Sequence, residues 1–152
     1  MEYLILLIFL GIGYFFGSRK EARHYASIEK RERETLQQPV VTLGKHVPSG
    51  KVRECRLVTG GTVISIDYFK RIVASLRNLV GGNVSSYESL VDRARREAIL
   101  KMKERAKTAD TIINVRIETS TIGKSANKKG QVGSVEALAY GTAIYFAQES
   151  VE

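Results

Sequence analysis

The sequence predicts an α+β fold, a small antiparallel sheet with two helices packed on one face. One transmembrane helix and a charged helical stalk are expected to precede it. Three observations carry this. The first residues are uniformly apolar, and a dense charged run follows them. Two stretches with helical apolar spacing lie mid-chain. Extended, alternating segments flank those stretches on both sides.

Tyr3 to Gly17 reads YLILLIFLGIGYFFG, fifteen residues without a charge. Glu2 precedes the run, and Arg19, Lys20 and Arg23 follow it. A spanning helix takes about 17–25 residues, so this anchor is short. Tyr3, Tyr14, Phe15 and Phe16 stand where interfacial aromatics stand. An acidic residue before the run and a poor cleavage sequence after it argue against a signal peptide. Cations on the C-terminal flank predict a single-pass protein of the cell membrane whose C-terminal domain is cytoplasmic. Gly13 and Gly17 have the spacing at which two membrane helices can approach closely.

Residues 18–38 carry six basic and four acidic side chains, with neither Pro nor Gly. They favour a helix that is polar all round, a solvated stalk. His24 in this stalk is expected to be solvated. Pro39 ends the stalk. The domain is expected over residues 39–148, with a tail at 149–152.

Val40–Leu43 is a strand candidate, and a turn follows around Pro48-Ser49-Gly50. Val52–Ser65 reads as extended. Gly60-Gly61 inside it suggests a bulge or bend. Phe69, Ile72, Val73, Leu76 and Val80 predict a helix over 68–80, ended by Gly81-Gly82. A second helix begins near Ser85, where Glu88 completes a capping pattern, and runs to about Ala109. Its apolar side is Tyr87, Leu90, Val91, Ala94, Ala98, Met102 and Ala106. Thr111–Ile122 and Ser134–Gln148 alternate as strands, joined by a hairpin loop at 124–133. One face of the last strand carries Val135, Ala137, Ala139, Gly141, Ala143 and Tyr145.

Val58-Thr59-Gly60, Arg77-Asn78-Leu79-Val80-Gly81-Gly82, Ser86-Tyr87-Glu88 and Ala139-Tyr140-Gly141-Thr142-Ala143 occur in that order along Val40–Phe146. In these motifs the chain resembles the YbjQ-like family, whose name describes a heavy-metal-binding domain. The motif positions are Thr59, Gly60, Gly81, Gly82, Tyr87, Asp110, Tyr140 and Gly141. The resemblance implies a small α+β subunit assembled into a ring, a pentamer. It implies no activity. Thr108-Ala109-Asp110 departs from the family's Gly-Ala-Asp stretch: the glycine is missing and the Asp is kept.

The chemistry-bearing inventory is small. Cys55 is the one cysteine, and His24 and His46 are the two histidines. Soft metals want thiolate or imidazole, and a closed zinc site wants four ligands. No metal site is therefore expected, and a heavy-metal ion follows from the family name alone. Cys55 is a weak metal candidate, expected instead to be a small buried hydrophobe. No nucleophile elbow or phosphate loop occurs, so no catalytic residue is assigned and no enzyme is expected. The net charge of +8 reads as a solvated surface. The basic helix face of residues 93–107 lacks interleaved aromatics, so no specific nucleic acid is expected. The functional expectation is a membrane-tethered, cytoplasmic, homo-oligomeric binding or scaffold module. The alternative is a metal or small-ligand sensor with its site between subunits.

Overall fold

The computed structural model describes residues 2–44, 50–65, 85–122 and 134–147. The expected helix at 68–80, Gly81-Gly82, the loop at 124–133 and His46 lie outside them. The elements are α1 (Glu2–Glu34), β1 (Val40–Val41), β2 (Val52–Ser65), α2 (Ser85–Arg105), β3 (Thr111–Ile122) and β4 (Ser134–Phe146). The fold is α+β.

The four strands form one sheet in the order β1-β3-β4-β2. β4 is central and pairs antiparallel with both β2 and β3. β1 pairs parallel with β3, with Val40 opposite Ile112 and Val41 opposite Ile113. The sheet is thus mixed, a correction to the expected antiparallel one. The reason is the path of the chain. α1 delivers Pro39 beside β3, where the Pro39 carbonyl accepts from the Ile112 amide at 3.0 Å.

The expected alternation in β4 is present. Val135, Ala137, Ala139, Gly141, Ala143 and Tyr145 are buried on one face. α2 packs on that face with Leu90, Ala94, Ala98, Met102 and Ala106. Small residues on both sides bring the helix close to the strands. At Gly60 an added Cβ would fall on the Ala98 carbonyl and the Met102 amide. Gly60-Gly61 is therefore no bulge. β2 stays in register there, and its irregularity lies between Val52 and Glu54. A bulge does interrupt β3 between Ile113 and Arg116, where Asn114 takes a positive φ of 53°. Asn tolerates this left-handed conformation better than most residues. Gly141 faces the bulge, and a Cβ there would press on Ile112 and Val115 at 3.0 Å.

The N-terminal expectations change most. The run from Tyr3 to Gly17 and the charged stalk are one continuous helix, α1. Among the described residues no helix is long and apolar enough to cross a membrane. Fifteen uncharged residues at 1.5 Å each cover only about 22 Å, against a hydrocarbon core of about 30 Å. The transmembrane helix, the membrane as partner, and the single-pass placement with a cytoplasmic domain are corrected accordingly. The stalk is not polar all round either. Ile28 is fully buried, and His24, Tyr25 and Arg31 are half-buried. The layers run from α1 to α2 to the sheet.

The tight passage of α2 over β2 makes a definite demand. Gly60→Ala should destabilise the fold by about 2 kcal/mol or more, as overpacking against backbone leaves nothing flexible to yield. Urea unfolding followed by circular dichroism measures it.

Candidate functional site

Two groups of polar residues have defined geometry, the seam between α1 and α2 and the junction of the motif residues on β2 and β4. The seam runs the length of the shared helix surface. Partners progress in the same sense along both helices, so α1 and α2 lie parallel. Glu21 meets Arg93 at 3.4 Å. The Tyr25 hydroxyl donates to the Ser89 carbonyl at 3.0 Å. Arg93 and Arg96 both lie over the Tyr25 ring, 5.8 and 5.9 Å from its centre. Glu32 takes both nitrogens of a fork from Arg96, at 2.8 and 2.6 Å. Further along, Lys103 donates to the Thr35 carbonyl at 2.7 Å. Gln38 donates to the Ala106 and Ala109 carbonyls at the end of α2.

Glu97 is the centre of the seam. It is only 6% exposed. Arg31 clamps both its oxygens, one of them at 3.1 Å, and also reaches Glu104 at 3.3 Å. His24 Nε2 stands 3.7 Å from the same carboxylate. Burial works to raise the pKa of Glu97, but the hydrogen bonds and charge of Arg31 more than offset it and hold it below the usual carboxylate value. His24 is held below its ordinary value by burial first and by the Arg93 charge second, against the pull of Glu97. Glu97 therefore stays ionised in the fold, with Arg31 as its charged partner and His24 beside it.

The second group places motif residues side by side. Thr59 sits opposite Tyr140, Gly60 opposite Ala139, and Val58 opposite Gly141. Gly60 and Gly141 hold their places for packing, as their close neighbours show. Thr59 and Tyr140 share the sheet face that points away from α2. At the outer edge of β2, Arg105 donates to the Thr59 carbonyl at 2.9 Å and to its hydroxyl at 3.0 Å. Lys101 donates to the Gly61 carbonyl and the Thr62 hydroxyl, both at 3.3 Å. Asp110 stands apart and accepts from the Phe146 amide at 2.8 Å, tying the end of β4 to the start of β3. Gly81 and Gly82 lie outside the described residues, as does the side chain of Tyr87.

Cys55 is exposed on β2, which corrects its expected burial. Its neighbours in the ladder explain this. It lies with Leu57 and Val63 on the uncovered sheet face, where no helix packs among the described residues. His24, expected in solvent, instead faces Glu97.

Little in the sequence marks the seam. Ile28 is a lone aliphatic among charges, and Glu97 follows Arg93, Arg95 and Arg96 on a helix whose outer surface looks solvated. The legible signal is the spacing of Tyr25 and Ile28, with opposite charges at matching steps on the two helices.

The chain matches the family model described as "Putative heavy-metal-binding" over residues 40–147. A UPF0145 protein of Saccharolobus solfataricus is 35% identical over 114 residues, covering 73% of this chain and 93% of the relative. A UPF0145 protein of Thermococcus kodakarensis is 32% identical over 119 residues, covering 76% and 98%. A solved protein of unknown function from Pediococcus pentosaceus is 17% identical with a TM-score of 0.41, covering 72% of this chain and 98% of that one. Among the described residues no three His, Cys, Asp or Glu side chains converge. Cys55 and His24 belong to different layers. The described donor set does not fit a soft metal ion.

The seam carries a pH dependence of known sign. The folded-state pKa of Glu97 is depressed below 4.5, so its contribution is present above that value and lost as pH falls through the folded pKa. His24 is depressed below 6.5, so protonation on acidification also works against the fold, beginning near 6.5. Arg31→Leu, which leaves Glu97 without its clamp, should cost about 3 kcal/mol at neutral pH. It should also flatten the acid limb of a plot of Tm against pH, measurable by scanning calorimetry.

Proposed function

The chain belongs to the YbjQ family over residues 40–147, and we propose that it acts as a homo-oligomeric binding or scaffold module. The observation that carries this reading is the open sheet face opposite α2. On β2, Leu57 is 71% exposed and Val63 55%, and on β4 Leu138 is 42% exposed. Thr59, Tyr140 and Thr142 lie among them and make the face amphipathic. Exposed apolar side chains gathered on one sheet face suit an interaction surface better than the same residues scattered singly. A small domain with such a face gains stability by assembly, since burial of the face then adds to folding.

The reading assigns no catalytic step and no cofactor. Family resemblance supports a ring, with a pentamer as the expected size. The function of such a ring is to present several copies of one surface at fixed spacing, which raises the effective affinity for any partner that bridges copies.

Light scattering coupled to size exclusion should return a mass several times the 16.9 kDa of one chain. Leu57→Glu with Val63→Glu should weaken the assembly at micromolar concentration. A strictly monomeric wild type across the accessible range contradicts the proposal.

A further inference from the structure

We propose that the apolar face α1 carries over residues 4–16 packs against the same face of α1 in neighbouring copies, in parallel and in register. This rests on the homo-oligomeric reading above. It adds a contact outside the family match, which begins at residue 40.

Seven large apolar side chains in the first half of α1 are open to solvent. Ile5, Ile8, Ile12 and Phe15 are 48–54% exposed. Leu4, Phe9 and Phe16 beside them are 58–66% exposed. An α-helix turns about 100° per residue, so these seven lie within an arc of about 140°. Glu21, His24 and Arg31, which meet α2, lie outside that arc on the other side of the helix. Docking of α1 onto α2 therefore leaves the arc uncovered. An added Cβ at Gly11, at the border of the arc, would meet nothing within 4 Å.

The arc holds a finer pattern. Ile5, Ile8, Ile12 and Phe15 recur at steps of three, four and three residues, the a and d spacing of a coiled-coil seam. Isoleucine at both a and d favours assemblies of more than two helices. Leu4 at g and Phe9 and Phe16 at e widen the seam, so that one helix can touch a neighbour on either side. The seam also has a defined end. The next core position is Arg19, whose guanidinium carbon lies 4.5 Å from the centre of the Phe15 ring. Copies packed there would set like charges side by side, so the contact stops at Phe16.

The size of the face and its sequence select the occupant. The seven side chains expose on the order of 800 Å² together, the area each partner commonly buries in a stable interface and more than a monomer usually leaves open in one patch. An identical helix matches the seam at every level. Isoleucine meets isoleucine in three layers and phenylalanine meets phenylalanine in the fourth. In a closed ring every copy points the same way along the axis, so the helices it gathers run parallel. A bilayer crossing does not suit the face, since the uncharged run covers only about 22 Å of a hydrocarbon core of about 30 Å. So short a stretch would be marginal as a free helix in water. Tethered to an assembled ring, the copies meet at a raised effective concentration.

Cysteine cross-linking in the full chain tests the contact. In a Cys55→Ser background, single cysteines are introduced by Ile5→Cys, Ile12→Cys and Phe15→Cys, with Ala26→Cys as the contrast. Ala26 is exposed on the same side of α1 but beyond Arg19. Oxidation with copper phenanthroline should join copies through each of the first three about tenfold or more faster than through the contrast, because packing holds their thiols together. Circular dichroism like that of wild type checks the fold, and light scattering gives the mass. An assembled chain whose three variants link no faster than Ala26→Cys overturns the helix contact and spares the oligomeric reading. A monomeric chain overturns both. In a mixture, linkage of Ile5→Cys chains to Phe15→Cys chains in preference to their own kind overturns the parallel register. Flotation with vesicles of phosphatidylcholine and phosphatidylglycerol, lost in Ile8→Glu and unaccompanied by cross-links, assigns the face to lipid and overturns the choice of occupant.

Discussion

The described fold is organised by the contact between α2 and the sheet at Gly60. The helix backbone there occupies the space that a side chain on β2 would need. The approach is possible because alanines face each other across the layer, Ala94 and Ala98 on α2 and Ala137, Ala139 and Ala143 on β4. Close packing of small residues leaves few voids and transmits any displacement. The position of α2 in turn sets where Arg105 and Lys101 reach, and so which part of the β2 edge is capped. It also sets the line of Arg93, Arg96, Glu97 and Lys103 to which α1 must conform.

α1 uses a different kind of contact. Its descending half meets α2 through charges and hydrogen bonds, with Ile28 as the buried apolar centre. A buried carboxylate such as Glu97 contributes little by itself, since desolvation offsets its pairing, yet it is costly to leave unpaired. The seam therefore favours one alignment of the two helices over others more than it adds stability. Arg31 reaches both Glu97 and Glu104, and Arg96 forks onto both oxygens of Glu32, so a shift of one helix along the other breaks several bonds together. The aligned relatives are nearly covered by stretches of 114 and 119 residues, and the family match begins at residue 40. α1 is thus attached to the family unit by its own set of contacts.

The strands and the helix were legible because their side chains alternate or recur with the period of the element. Val135 to Tyr145 on β4 and Leu90 to Ala106 on α2 needed no tertiary knowledge. Gly60 was misread as a bend because a glycine excused by a bend and one excused by a passing helix look alike in sequence. The exposure of Cys55 was hidden for a related reason. Alternation assigns a residue to a face but does not say which face has a neighbour.

By itself the sequence determined the mixture of helix and sheet, the central alternation of β4, the amphipathic course of α2 and the family. Those follow from local periodicity and from motifs that survive as contiguous words. Only the tertiary structure decided the parallel seat of β1, the joining of the apolar run and the stalk into one helix, and the burial of Ile28 and Glu97. It also decided which strand edges are capped. The seat of β1 and the pairing of Glu97 depend on residues more than sixty positions apart meeting across a surface, as Arg31 and Glu97 do, and the capping of the β2 edge on residues 40 and 46 positions apart. No local pattern encodes such a meeting, because the same charges read equally well as a solvated face until the partner helix is in place.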